Sequence, residues 1–226
     1  MPAATTQYST IEAYTQDAVQ DDTTDFWDAT SWLREVNRVT KDILKVIHYY
    51  RAYTLCDKLL TYVDITGDGS GEYDWHAAIT AADPTKTYYR WTKVTVNDNE
   101  YDLGRISHVN WHNAKRNFIV TANEAGLWTI GPDGTMYTVP DFDSGDTIHF
   151  WFLQLPTAMT VASSKPDIDE TLIDMYELGF GIRYWRARGR MDNHAIFKKD
   201  WNDAVRELIK PYAATKIIRL KSTKAY

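Results

Sequence analysis

Leu33, Val36, Thr40, Ile43, Leu44 and Ile47 recur at three- and four-residue steps, and this spacing predicts an amphipathic helix over about 29–49. Asp28, Thr30 and Ser31 stand at its start, each with a side-chain oxygen that can accept from the free N–H groups of a first turn. No Pro or Gly interrupts the pattern, and Lys41 and Lys45 lie one turn apart on its polar side. The period changes after Tyr50. YRAYTLCDKLLTYVDIT alternates imperfectly and runs into GDGSGEYD, whose glycines predict a turn of hairpin type. KTYYRWTKVTV is β-branched and aromatic and is closed by NDNE. RNFIVTAN, GLWTI, GTMYTVP and DTIHFWFLQLP follow as short strands, separated by the turn sequences NEAG, GPDG and DFDSGD. Together they predict an antiparallel sheet or small sandwich between about 52 and 160.

Helical spacing returns after Pro166. In DIDETLIDMYELGFGIRYWRARGR, Leu172, Ile173, Tyr176, Phe180 and Tyr184 form one face of a helix predicted over about 168–189. Its first turn is acidic, and Arg186, Arg188 and Arg190 populate its last turns, the signs that a helix dipole favours. Gly179 and Gly181 each cost about 1 kcal/mol relative to Ala in a helix, so their presence predicts close packing of another backbone. Asp192 is expected to cap a last helix over about 192–210, with Ala195, Ile196, Val205, Leu208 and Ile209 on its inner face and Pro211 as its stop. Residues 211–226, with TKIIRLKSTKAY, read as a basic, β-prone tail, and residues 1–24 as an acidic arm carrying at most one short helix and ordering only against something else. The expected fold class is α+β. A helical bundle from one N-terminal and two C-terminal helices is interrupted by an antiparallel β-sheet or sandwich insert, with extended arms at both ends.

Composition narrows the function. Apolar residues make up 44% and charged residues 25% of the 226, a globular balance that excludes a disordered chain. A net charge of −6 excludes a generally basic nucleic-acid binder. The charge is unevenly placed. Met1 to Ser31 holds Glu12, Asp17, Asp21, Asp22, Asp25 and Asp28 with no Lys or Arg, whereas Lys210, Lys216, Arg219, Lys221 and Lys224 follow Glu207 with no acid. Nine Trp and fifteen Tyr suit either surfaces that meet partners or a β-rich core with aromatic pairs. Cys56 stands alone, so no intrachain disulfide forms. MPAATTQYST lacks the pattern of a signal peptide, and no run of about 18 apolar residues occurs, so a soluble protein made in the cytoplasm is expected.

No catalytic constellation emerges, and no cofactor is expected. His108 and His112 in HVNWH would chelate a metal from one helix face. The segment is not strongly helical, lacks the Glu of HExxH and signals no third ligand, so no metal is expected. Asp64, Thr66, Asp68 and Gly69 imitate a calcium loop, but Trp75 stands where the bidentate Glu belongs. Asp167/Asp169 and Asp141/Asp143 are read as capping pairs, and Cys56 as a buried thiol. GxSxG, Walker A and GxGxxG sequences are absent from the chain. The expectation is a structural protein and not an enzyme.

Three matching pieces carry a family resemblance. They are Phe26–Trp27 with Leu33, Asn37 and Ile43; Trp151–Phe152–Leu153 with Pro156; and Ile173–Arg188 followed by Asp192–Ile209. In this order the chain resembles the phage head-to-tail adaptor (head–tail connector) proteins over about residues 25–210. It departs from their pattern at Gly179 and Gly181, where alanines are expected, and in its acidic first twenty-odd residues. The resemblance implies an adaptor domain at 25–210 that assembles as a homo-oligomeric ring, a dodecamer, under the portal protein of the virion. Genomic DNA would pass through its channel without sequence-specific binding, a tail or nozzle protein would dock below, and no membrane would be involved. Lys216, Ile217, Ile218, Arg219, Leu220 and Lys221 are the expected portal-binding segment, adding a strand to the portal. The competing expectation is a carbohydrate-binding β-domain of a virion or surface protein, with Trp75, Trp91, Trp111 and Trp128 lining a groove.

Overall fold

The structure, a computed structural model, describes residues 6–20, 26–84, 87–97, 103–117 and 126–222, with the backbone alone described over 213–222. In chain order the elements are α1 (Tyr8–Val19), α2 (Ala29–Tyr50), a 3-10 segment (Tyr53–Leu59), β1 (Leu60–Thr66), β2 (Glu72–Tyr73), α3 (Trp75–Ala82) and β3 (Tyr88–Val96). Then come β4 (Gly104–Arg105), α4 (His108–Asn117), β5 (Leu127–Ile130), β6 (Met136–Val139) and β7 (Thr147–Gln154). A 3-10 turn (Glu170–Leu172), α5 (Asp174–Ala187) and α6 (Met191–Ser222) complete the chain. The fold class is α+β. It divides into two compact units, one from Met1–Leu59 and Pro156–Tyr226 and the other from Leu60–Leu155, so the β-rich insert is shorter than the expected 52–160.

The first unit is helical. The Asp28 carboxylate accepts from Ser31 N at 2.7 Å and so caps α2, whose Trp32, Val36, Val39, Ile43, Leu44 and Ile47 are buried. Each large side chain buried in this way contributes about 1.5–3 kcal/mol. Helix α5 answers with Met175, Tyr176, Phe180 and Tyr184, and Tyr176 Oη lies 2.8 Å from Thr40 Oγ1. The first residues hold one short helix, as the sequence allowed, and it packs on the chain's own α5. This helix, Tyr8–Val19, buries Ile11, Thr15 and Val19. Trp32 Nε1 donates to Thr15 Oγ1 at 2.9 Å, so α1 is tied to α2 through a buried polar pair. Asp21, Asp22 and Asp25 lie outside the described residues.

The C-terminal end also differs from expectation. Helix α6 begins at Met191, which places Asp192 inside its first turn, and it runs through Pro211 to Ser222. A proline removes one donor and crowds one carbonyl, and the residues after it, Ala213 and Ala214 among them, favour helix and resume the ladder. The tail at 211–222 is therefore helical and not β-prone.

The second unit holds two sheets. Strands β1, β7 and β3 form an antiparallel sheet in that order, with Phe150 of β7 opposite Val63 on one side and Val94 on the other. Strands β2, β6, β5 and β4 form the second sheet, in which β4 and β5 run parallel. Parallel neighbours need a crossover, and the connection from β4 to β5 contains α4, so this pair departs from the expected all-antiparallel pairing. One core takes residues from both sheets, among them Ile65, Val96, Trp128, Met136, Ile148 and Phe152. GDGSGEYD is not a hairpin turn, because β1 pairs with β7 and β2 with β6, so the segment crosses between sheets. A β-carbon at Gly67 would stand 2.3 Å from the Asp143 carbonyl oxygen, which is why glycine belongs there. HVNWH is helical after all, anchored by buried Trp111, since tertiary packing supplies what a short helix lacks in propensity. Most of the strand expected in RNFIVTAN lies outside the described residues.

Candidate interaction site

Helix α5 is the centre of the first unit, and its two glycines set how near its neighbours come. A β-carbon at Gly179 would meet Val39 Cγ1 at 2.7 Å and Trp201 Cζ3 at 2.9 Å, and one at Gly181 would meet Phe197 Cδ1 at 2.2 Å. Gly179 thus lies against both α2 and α6, and Gly181 against α6, in each case against side chains and not against another backbone, which was the expectation. The face that α6 turns to α5 carries Phe197 and Trp201. Ala195 and Ile196, expected on the inner face, point outward, with Ile196 58% exposed. The segment before α2 packs on the same helix: Trp27 sits edge-on to Phe180 at 5.5 Å and to Tyr184 at 5.4 Å. Arg188 lies over the rings of Phe26 and Tyr184 at 5.2 and 5.3 Å.

A groove of about 720 Å³ opens between α2, α5 and α6, with Trp27, Val46, Gly179, Ile182 and Trp201 among its apolar lining. Its polar side is a chain of ion pairs. Glu35, with a side chain only 7% exposed, pairs with Arg38, with Arg34 at 3.5 Å and with Arg183 at 3.3 Å. Arg183 reaches on to Asp42, which also pairs with Lys45 at 2.7 Å. Burial alone would raise the Asp42 pKa, but hydrogen bonds and charge from Lys45 and Arg183 outweigh it and hold the carboxyl below its usual range. Both carboxylates are thereby committed to joining α2 to α5. The spacings Glu35/Arg38 and Asp42/Lys45 are visible in the sequence of α2; the role of Arg183 is not, because it lies far along the chain.

The expected portal-binding residues Lys216, Ile217, Ile218, Arg219, Leu220 and Lys221 lie on α6, with only their backbone described. A helical backbone has its N–H and C=O groups committed to its own turns, so in this form the segment adds no strand to another sheet. The four tryptophans of the sugar-binding expectation line no common groove. Trp75, Trp111 and Trp128 are buried, and Trp91 is half-buried beneath the Arg105 guanidinium at 3.7 Å. Their large ring areas serve the core of the β-rich unit.

Cys56 is buried, and that burial pushes its thiol pKa up to about 12. His108 and His112 both lie on α4, one turn apart, and among the described residues no group of three or more His, Cys, Asp or Glu is placed to hold a metal. Among the described residues no helix is long and apolar enough to cross a membrane. Compared with known proteins, the chain matches no family model and no curated sequence.

Proposed function

We propose that this chain is a structural head-to-tail adaptor of a tailed bacteriophage, resident at the head–tail junction of the virion. In this reading copies form a ring under the portal protein, a tail or nozzle protein docks below, and the genome passes through the ring during ejection. One observation carries most of the weight. Helix α6 has 32 residues, and of its described side chains, Met191 to Tyr212, none is buried. At about 1.5 Å per residue such a helix is long for a domain of this size, and covering it from one side only leaves the other side for a partner. The close helix crossings at Gly179 and Gly181 and the ion pairs of Arg183 support the same reading. They make the bundle a firm platform from which α6 is presented.

Mass photometry or negative-stain imaging of the purified chain, with and without its candidate portal protein, tests the proposal. Ring-shaped oligomers that bind the portal are expected. A chain that stays monomeric and ignores the portal overturns it.

A further inference from the structure

We propose that copies of this chain join through the outer stripe of α6 on one copy and the α1–α5 edge on the next, an inference that rests on the ring reading above. The stripe is Met191, His194, Ala195, Lys198, Lys199 and Arg206, at helical spacing along a shallow depression of about 460 Å³. Met191 in the stripe is 59% exposed, and Ile196, one turn before Lys199, is 58% exposed, so apolar surface lies beside the positive charge. Asp203, which lines the same depression, pairs with Arg206 at 2.9 Å, and Lys198 and Lys199 carry the remaining positive charge of its lining.

The opposite sign gathers at the α1–α5 edge. Glu177 on α5 is flanked by Asp174 on its own helix and by Asp17 on α1; burial and these two carboxylates raise its pKa. Among the described residues no cation pairs with Asp17, Asp174 or Glu177. Asp174 and Glu177 stand three residues apart, one turn along α5, and Asp17 lies on α1, which packs on α5, so the edge presents carboxylates that cations from outside can meet. One turn before Asp17 on α1, Tyr14 is 47% exposed, so this edge also pairs apolar surface with charge. Both α1 and α6 pack on α5, so a single copy carries both halves of the contact. A junction between two different surfaces repeats from copy to copy and closes into a ring where its rotation allows. The occupant of the α6 stripe is thus a second copy of this chain.

The test uses the full chain and sedimentation velocity or mass photometry, at low and high salt, with the portal present if assembly needs it. One variant combines Asp17→Lys, Asp174→Lys and Glu177→Lys; a second combines Lys198→Glu and Lys199→Glu. Circular dichroism checks that each stays folded; Asp17, Asp174, Lys198 and Lys199 are exposed and Glu177 is half-buried. Each variant alone is expected to associate at least about tenfold more weakly than the parent chain. A chain carrying both sets restores the sign match and is expected to regain the oligomer. Rings that form equally well in either variant overturn this junction and leave the ring reading standing. A parent chain that is monomeric both alone and with the portal overturns the ring reading, and the junction with it.

Discussion

Gly181 and Phe197 are so close that a β-carbon on the glycine would stand 2.2 Å from the phenylalanine Cδ1 and 2.3 Å from its Cε1. The contact lies at the base of the ring as well as along its edge, so a swing of the ring tip does not relieve it. Alanine at 181 gains about 1 kcal/mol of helix propensity but forces α5 and α6 apart, an overpacking cost of about 1–3 kcal/mol. Gly181→Ala is therefore expected to lower the thermal midpoint, and Gly179→Ala to do the same against Val39 and Trp201. Gly145→Ala, at a position with nothing within 4 Å, is the control expected to leave it unchanged. An unaltered midpoint in Gly181→Ala would show that the crossing is looser than described.

Thr15 is the only described side-chain partner of the Trp32 indole N–H, at 2.9 Å, and both residues are buried. Thr15→Val keeps the shape and removes the acceptor, at a cost of about 1–3 kcal/mol for an unsatisfied buried donor. Urea unfolding should show that loss. Limited proteolysis should cut the N-terminal segment sooner than in the parent chain, and equal cleavage rates would refute the role given to this bond in holding α1.

Arg183 links Glu35 to Asp42, so Arg183→Met is expected to cost about 2 kcal/mol by leaving a nearly buried carboxylate short of a partner. The coupling has a pH signature. The folded-state pKa of Asp42 lies below its ordinary value, so its contribution is fully present above that value and fades as pH falls through the depressed folded-state pKa. Stability should therefore decline on the acid side, and Asp42→Asn should flatten that limb. Denaturant midpoints measured from neutral to acid pH decide the matter; an acid limb unchanged in Asp42→Asn removes Asp42 from the account.

Cys56, with its pKa pushed up to about 12 by burial, is expected to resist thiol-reactive dyes at mildly alkaline pH in the native protein and to react at once in denaturant. Rapid labelling of the folded chain would show that the 3-10 segment around it opens readily.

Much of the first unit was legible because its signals are local. The period of Val36, Ile43, Leu44 and Ile47 marks the buried face of α2, Asp28 marks its start, and Gly179 with Gly181 marks a helix that must be closely approached. The charged groove was half legible. Glu35 with Arg38 and Asp42 with Lys45 are neighbours on one helix, but Arg183 completes the network from 148 residues beyond Glu35, a distance no periodicity spans.

The amino-acid sequence by itself determined helices α2 and α5, the first part of α6 and strands β3, β5, β6 and β7, through the 3.6- and 2-residue periods and the capping and turn residues that bound them. Only the tertiary structure decided what those elements do with their surfaces. It placed α1 against α5, ran parallel strands through the crossover that holds α4, turned Trp75, Trp111 and Trp128 inward, and carried α6 past Pro211. Periodicity reports a face of one element, whereas its partner is chosen by packing against residues far along the chain. Local preferences of about 1–3 kcal/mol, such as the cost of a proline or of a polar flank, are outweighed when enough surface is buried in return.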